Sequence, residues 1–351
     1  MGPKTANVFV ALSGGVDSSA AAALLHQRGL NCTAVFMITS DRLLNTQTNA
    51  EKVADKLGIK LHVLDLREDF EHVLDYFCSE YKNGRTPNPC VFCNRYIKFG
   101  KLWDFAQANG AQMFATGHYA KILKNNNDTG LYEADNADND QSYVLAMIDS
   151  NTLPCLILPM AEYSKQQTRQ IAAKFGLETK DCLPSQEICF IPNDNYVAAV
   201  EDRCPQLIRR GNIVDSNGTI LGRHNGVHRF TIGQRRGTQV AMGKPYYVVR
   251  INAQTNTVTL GPKEEVMHRK LTATEVNWLT QKPLSAFRAK VKIRYNDKGA
   301  AATVTPDADG AVVEFDEPIA AITPGQLAAF YVQKRHNSRL IGGGWIDKWQ
   351  D

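Results

Sequence analysis

The sequence predicts an α/β protein, with a parallel-sheet domain first, a small mainly-β domain next and a C-terminal β-barrel. Over the first half of the chain, apolar strand-like runs alternate with helix-like stretches, which is typical of a parallel sheet covered by helices on both faces. Beyond about Pro205 the apolar runs become short and are divided by turns, which is typical of small β domains. A chain of 351 residues is also longer than one core usually supports.

The predicted elements follow in chain order. Strands of the first sheet are predicted at residues 7–12, 33–38, 60–64 and 112–116, and helices at 18–28, 48–57, 70–82, 95–108 and 164–175. Polar turn residues at 125–130 predict a surface hairpin. Apolar runs at 287–295, 300–305, 312–315 and 326–332 predict strands of the barrel. The predicted domains are therefore residues 1–205, 206–270 and 271–351.

The composition is that of an ordinary globular protein, with 43% apolar and 22% charged residues. No apolar run approaches the ~20 residues that a membrane helix needs, and the N-terminus lacks the pattern of a signal peptide. We therefore expect a cytoplasmic protein without a membrane partner. The net charge of +4 permits a nucleic-acid partner but does not require one. Eight cysteines in such a chain favour thiol, metal or burial roles over a disulfide framework.

A glycine turn between the first strand and the first helix is the strongest local motif. It reads Ser13-Gly14-Gly15-Val16-Asp17-Ser18 and follows the apolar run that ends at Ala11-Leu12. Such a turn aims backbone N–H groups and the positive end of a helix dipole at one point, which suits a phosphate. An ordinary capped helix is the simpler alternative, but it needs no paired glycines. No lysine stands in the turn, so it is not the Gly-Lys-Ser/Thr nucleotide loop.

A second loop, Thr116-Gly117-His118-Tyr119, follows the last predicted strand of the first sheet. Ligands of parallel sheets bind beyond the C-terminal strand ends. We therefore expect this loop and the glycine turn to lie at one crevice.

The glycine turn resembles the pyrophosphatase loop (PP-loop) of enzymes that adenylate a carbonyl oxygen and release pyrophosphate. Further blocks, taken in order and spacing, resemble the tRNA-specific 2-thiouridylases over nearly the whole chain. These blocks begin at Arg85-Thr86-Pro87-Asn88-Pro89-Cys90-Val91-Phe92-Cys93-Asn94 and continue with Ile97-Lys98-Phe99-Gly100, Ala115-Thr116-Gly117-His118-Tyr119-Ala120, Asp140-Gln141-Ser142-Tyr143, Glu187-Ile188-Cys189-Phe190-Ile191-Pro192, the stretch 226–237 and Thr323-Pro324-Gly325-Gln326.

The resemblance implies ATP-dependent 2-thiolation of the wobble uridine of certain tRNAs, with AMP and pyrophosphate as products. It implies an ATP site at Ala11, Leu12, Ser13, Gly14, Gly15, Val16, Asp17, Ser18, Met37 and Gly117. It implies tRNA contacts at Asn88, Pro89, Cys90, His118, Asn139, Asp140, Gln141, Arg294, Tyr295 and Gln326. The implied partners are tRNA and a sulfur-donor protein or sulfide source, and the implied oligomeric state is a monomer. The implied cofactors are ATP and Mg²⁺.

Three cysteines carry the implied sulfur chemistry. By the resemblance, Cys189 matches the cysteine that carries a persulfide, and Cys93 matches its partner. Both are expected on loops that meet over the bound base, and sulfur transfer is expected to leave a Cys93–Cys189 disulfide. Many members have aspartate where this chain has Cys90. Cys90, Cys93 and Cys189 could instead hold a 4Fe–4S cluster with one iron open to sulfide. Cys90 as a neutral neighbour is a third alternative, whereas structural zinc would need a fourth ligand.

Several residues, and the function itself, admit a second interpretation from the sequence. Met37 fits a core position as well as an adenine contact, and Asp17 fits a helix cap as well as a Mg²⁺ ligand. Asn139 and Gln326 fit surface or capping roles. Residues 38–49 lack the longer acidic insert common in the family. Rival functions are a PP-loop synthetase that adenylates a small metabolite and an RNA-binding protein with a vestigial nucleotide fold.

Overall fold

The structure is a computed structural model that describes residues 6–125, 128–177, 188–191, 195–238, 240, 243–334 and 337–350. Its strands are β1 (Asn7–Ala11), β2 (Asn31–Ile38), β3 (Lys60–Asp65), β4 (Met113–Ala115), β5 (Lys121–Asn125), β6 (Asp128–Tyr132), β7 (Leu156–Ile157), β8 (Gly211–Asp215), β9 (Ile220–His224), β10 (Tyr247–Asn252), β11 (Thr257–Gly261), β12 (Met267–Trp278), β13 (Phe287–Lys292), β14 (Ala300–Pro306), β15 (Gly310–Ala320), β16 (Leu327–Lys334) and β17 (Asn337–Gln350). Its α-helices are α1 (Val16–Gln27), α2 (Leu44–Leu57), α3 (Arg67–Lys82), α4 (Pro89–Cys93), α5 (Leu102–Ala108), α6 (Lys165–Lys174) and α7 (Tyr196–Arg203).

The first sheet is parallel, and its strand order is β3-β2-β1-β4-β7. Alternate residues of β1 point to opposite faces, so Val8 and Val10 join one buried cluster while Phe9 joins another. Strands β2 and β3 lie on one side of β1, and the later strands β4 and β7 lie on the other side. The direction of strand addition therefore reverses between β1 and β4, and the crevice there is the switch point of the sheet. Both predicted loops begin at this edge.

The predicted helix at 95–108 is wrong in its start and in its form. Helix α4 begins at Pro89, after Asn88 accepts a 3.3 Å hydrogen bond from Val91 N. A π-helix, Asn94–Lys101, then joins α4 to α5. An Asn cap followed by proline is a helix start that the sequence displays. The wider π turn has no comparable sequence signal, and π segments frequently occur at functional sites.

The two later sheets confirm the predicted fold class. The middle sheet has the order β10-β11-β8-β9. In the C-terminal part, six strands pair in the spatial order β12-β15-β14-β13-β16-β17. An additional pairing between β12 and β17 closes them into a six-stranded barrel. The domain boundaries at 205 and 270 stay predictions.

The hairpin of β5 and β6 joins the first domain to the barrel. Strand β6 pairs with β17 through Leu131 and Leu340 and through Tyr132 and Arg339. It is therefore more than the predicted surface hairpin, although residues 126 and 127 of its turn lie outside the described residues. None of the helices in the described ranges has the length and apolar character to cross a membrane.

Candidate active site

The glycine turn ends in a helix start whose first N–H groups have no side-chain cap. Gly15 is the N-cap of α1 and has an extended backbone. The hydroxyl groups of Ser18 and Ser19 both donate to the Gly15 carbonyl oxygen, at 3.1 and 2.8 Å. Ser13 N in turn donates to Ser18 Oγ at 3.1 Å. The turn is thus held by its own serines, while the positive end of α1 is available to an anion.

Two glycines allow neighbouring segments to close on this turn. Gly14 has a φ of +75°, and a Cβ there would lie 2.5 Å from the Thr46 carbonyl oxygen. A Cβ on Gly117 would lie 2.7 Å from Ser18 N. Because any side chain would clash, the loop after β4 packs directly on the first turn of α1. The two predicted loops therefore do meet at one crevice.

Asp17 is fully engaged by protein groups. Tyr119 Oη donates to Asp17 Oδ1 at 2.6 Å, and Lys165 Nζ lies 2.6 Å from Asp17 Oδ2. The helix cap is Gly15, so Asp17 does not cap α1. Each carboxylate oxygen can accept a further interaction, so a Mg²⁺ contact at Asp17 stays a prediction. Lys165 was missed by the sequence reasoning, since nothing local connects it to the turn.

Met37 links the nucleotide end of the crevice to the thiols. It lies half-buried near the end of β2 and packs against a cluster formed by Leu66, Phe70, Val73, Cys93 and Ile97. The core contact is thus observed, and it places Met37 against the apolar cluster that contains Cys93. An adenine contact stays a prediction.

Cys93 is buried rather than exposed on a loop, which corrects the sequence-based expectation. It ends α4 and is 8% exposed. Burial raises the pKa of its thiol to about 12, although the nearby Lys98 ammonium partly opposes this shift. The physical reason is the apolar face of α4, which packs on Leu66 and Phe70.

Cys189 is exposed but is anchored by its neighbours. Phe190 packs edge-on against Phe70 and Phe77, with ring centroids 5.7 and 5.2 Å apart, and Ile191 is buried. The surrounding protein desolvates the Cys189 thiol and raises its pKa, while Lys98 and two backbone N–H groups favour the thiolate. The sulfur is therefore accessible and held in place.

Cys90 completes a group of interacting thiols. Its side chain is exposed, yet desolvation by surrounding protein atoms, together with a smaller effect of a charge on Cys189, raises its pKa to about 11. Lys98 acts on all three thiols in the opposite direction. In the described ranges no three His, Cys, Asp or Glu side chains form a group that could hold a metal ion. The iron–sulfur cluster stays a prediction.

His118 and Lys98 connect the two halves of the crevice. His118 Nδ1 lies 2.8 Å from Thr116 Oγ1, and its ring centroid lies 5.8 Å from that of Phe99. Burial lowers the pKa of His118 well below its usual value, and the charges of Lys98 and Lys165 lower it further. The imidazole is therefore neutral near pH 7. Lys98 stood in the block 97–100, but its sequence position gave no sign of this role.

Tyr295 lies on the thiol side of the crevice, with Gln141 and Arg294 as its neighbours. Tyr295 is 39% exposed, its phenol is hydrogen-bonded by Gln141, and a charge on Cys90 raises its pKa. Arg294 is exposed and donates to the carbonyl oxygens of Ala320 and Ala321, at 2.8 and 3.1 Å. Asn139 is half-buried in a short 3₁₀ turn. Tyr295 and Arg294 thus present groups that suit a base and a phosphate.

Asp140 has a structural environment. It is 8% exposed and accepts hydrogen bonds from Ala134 N at 3.0 Å and Ser142 N at 3.1 Å. Lys292 Nζ lies 3.1 Å from its other oxygen. These contacts account for Asp140 without RNA.

Gln326 holds the segment that leads to Cys90. Its Nε2 donates to the carbonyl oxygens of Thr86 and Pro87, at 3.1 and 2.9 Å, and Thr86 N donates to Pro324 O at 2.9 Å. We call these contacts the barrel clasp. Asn88, next along the chain, hydrogen-bonds the buried Tyr143 phenol. The barrel therefore forms part of the active-site wall.

Fold and site together define a nucleotide-binding α/β enzyme that carries thiols and a β-barrel. Three family models match the chain: a tRNA methyl transferase HUP domain over residues 6–193, a tRNA methyl transferase PRC-barrel domain over 199–262 and an aminomethyltransferase beta-barrel domain over 268–346. The tRNA-specific 2-thiouridylase MnmA of Carboxydothermus hydrogenoformans is 43% identical, covering 97% of each chain. That of Syntrophotalea carbinolica is 41% identical, covering 99% of this chain and 100% of its own.

The chain belongs to the tRNA-specific 2-thiouridylase family. Among solved structures, the U34-tRNA thiolase NcsA from Methanococcus maripaludis with its 4Fe–4S cluster is 17% identical. The match has a TM-score of 0.37 and covers 58% of this chain and 67% of that one.

Proposed function

We propose that this protein uses ATP to convert the wobble uridine of tRNA to 2-thiouridine. The observation that carries the proposal is one crevice with an uncapped helix N-terminus at one end and grouped thiols at the other, bridged by His118 and Lys98. Uridine C2 oxygen is a poor leaving group until it is adenylated. Sulfur transfer then needs a soft nucleophile.

In the first step, the turn Ser13–Ser18 binds the phosphates and the uridine C2 oxygen attacks the α-phosphorus. Pyrophosphate leaves with the electron pair of the broken P–O bond. Backbone N–H groups of α1 stabilise the negative charge. Mg²⁺ stays a prediction to which we assign no residue.

In the second step, the outer sulfur of a Cys189 persulfide attacks C2 and AMP leaves. The Cys93 thiolate then attacks the Cys189 sulfur, which forms a Cys93–Cys189 disulfide and releases the thiolated base. A reductant restores both thiols. Because Cys93 is buried, formation of the disulfide requires the segment around Cys93 and the segment around Cys189 to move toward each other. We derive no step through an iron–sulfur cluster, which stays a prediction.

The tRNA contacts are proposed at Asn88, Pro89, Cys90, His118, Asn139, Gln141, Arg294 and Tyr295. Tyr295 and Arg294 are the strongest, since both side chains are exposed and Tyr295 interacts electrostatically with Cys90. A reducing compartment such as the cytoplasm suits the seven free cysteines of the described residues. The sulfur donor and a monomeric state stay predictions.

The test is mass spectrometry of nucleosides from tRNA incubated with enzyme, ATP, a persulfide donor that transfers its outer sulfur to Cys189, and a reductant. We expect 2-thiouridine, with pyrophosphate release only when tRNA is present. A synthetase acting on a small metabolite would not require tRNA, and an RNA-binding protein would release no pyrophosphate. Cys90→Ser, assayed without oxygen, tests the cluster alternative. Loss of activity together with loss of a chromophore near ~400 nm would favour the cluster.

A further inference from the structure

The glycine turn has no lysine of its own, but the fold brings one to it. Lys165 is 148 residues from Asp17 in sequence. Its Nζ lies 2.6 Å from Asp17 Oδ2 and 4.1 Å from the centre of the Tyr119 ring. Asp17 belongs to the first turn of α1, whose N–H groups form the anion site. The ammonium therefore stands beside that site.

The position of Lys165 is unfavourable for its own helix. It is the first residue of α6, directly after the Ser164 cap and its capping box with Gln167. A cation at a helix N-terminus opposes the helix dipole. The first turn of α6 has no acidic residue to offset it. The interaction that holds Lys165 there thus lies outside α6, at the glycine turn.

The side chains around Lys165 leave part of it open. Its side chain is 34% exposed, while that of Asp17 is 18% exposed. Tyr119 Oη holds the other Asp17 oxygen at 2.6 Å and lies 2.8 Å from Thr168 Oγ1. Asp17 is thus fixed from one side, and Lys165 has donor capacity left for a second acceptor.

We propose that Lys165 binds the pyrophosphate part of ATP directly and stabilises it as the leaving group. The inference rests on the proposed function. When the C2 oxygen attacks, the bond from the α-phosphorus to the bridging oxygen breaks, and its electron pair stays on that oxygen. Lys165 donates a charge-assisted hydrogen bond to the pyrophosphate and keeps its proton. It also neutralises Asp17, whose carboxylate would otherwise repel the phosphates.

The test measures calorimetric binding of inorganic pyrophosphate to the full-length protein. Lys165→Gln should weaken binding roughly 10- to 100-fold, since a charge-assisted bond is lost. Lys165→Arg should recover most of it. The matched control is Lys174→Gln, an exposed lysine in the last turn of the same helix, which should bind like the parent. Thermal unfolding of each variant confirms that it is folded.

A double variant separates contact from charge neutralisation. If Lys165 only offsets Asp17, then D17N/K165Q should bind pyrophosphate as tightly as the parent, and the inference is overturned. Equal binding by Lys165→Gln and the parent would overturn it as well. Because the readout is binding and not turnover, these results are independent of tRNA thiolation. Failure of the proposed function would appear instead as a parent enzyme that makes no 2-thiouridine.

Discussion

Lys292 of the barrel and Asp140 of the first domain form a buried ion pair, with Nζ 3.1 Å from Oδ2 and side chains 9% and 3% exposed. Glu133 joins the pair at 2.8 Å from the same ammonium. Burial of the Lys292 and Asp140 charges is tolerated because they are paired, and the half-buried Glu133 adds a second partner for Lys292. The pair therefore fixes the barrel to the domain that holds the thiols.

Replacing Asp140 should destabilise the protein. Asp140→Ala leaves Lys292 without one partner and two backbone N–H donors without an acceptor, so we expect a loss of about 3–5 kcal/mol in the free energy of unfolding. Urea unfolding measures it. Asp138→Ala, an exposed neighbour, is the control. A variant as stable as the parent with weakened tRNA affinity would instead favour a direct RNA contact.

Removing the barrel clasp should loosen the segment before Cys90. Gln326→Ala deletes two hydrogen bonds, which stabilise by roughly 1–3 kcal/mol together. We expect faster amide exchange at Thr86, Asn88 and Cys90 and a lower kcat, with a nearly unchanged KM for ATP. Gln281→Ala, exposed on the barrel, should leave both unchanged. Normal exchange with weakened tRNA binding would contradict a positioning role.

Cysteine variants should separate adenylation from sulfur transfer. Cys189→Ser and Cys93→Ser should lower 2-thiouridine formation by roughly 100-fold or more, because each removes a required thiolate. Both should still release pyrophosphate in the presence of tRNA, since the glycine turn is untouched. Cys155→Ser is the control. Full thiolation by either variant would disprove the disulfide route.

The thiols of the free enzyme should react slowly at neutral pH. A thiolate is the reactive form, and the Cys90 pKa of about 11 lies above the ordinary value of 9.0. Alkylation of Cys90 should therefore rise about tenfold per pH unit and level off only near pH 11. Iodoacetamide labelling followed by peptide mass spectrometry checks this. A plateau below pH 9 would show that the thiolate is stabilised rather than disfavoured.

Lys98 should favour the thiolates electrostatically. Its charge lowers the pKa of Cys90, Cys93 and Cys189. Lys98→Gln should therefore raise all three pKa values and slow alkylation at fixed pH by roughly 3- to 10-fold. Lys98→Arg retains the charge and should keep most of the rate. The effect should shrink at high salt. Equal rates in Lys98→Gln and the parent would rule out this influence.

The strand–turn–helix motif and the fold class were predictable because they depend on local patterns. The motif consists of the apolar strand β1, the glycine pair and the helix that follows, and it spans about twenty residues of sequence. The structure adds that Gly14 has a positive φ. The form of the segment after Cys93 was not predictable, because a π turn differs from an α turn by one hydrogen-bond register. The burial of Cys93 depends on α3 packing against α4.

By itself, the sequence determined the strand–turn–helix motif and the fold class, since both follow from neighbouring residues. The resemblance to a family implied the reactive thiols, Cys93 and Cys189. Tertiary structure alone decided which distant groups surround them. Lys165 reaches Asp17 from 148 residues away, and Gln326 reaches Thr86 from 240 residues away. Such contacts arise where whole domains pack, and the free energy of that packing is spread over many residues rather than encoded in any one motif.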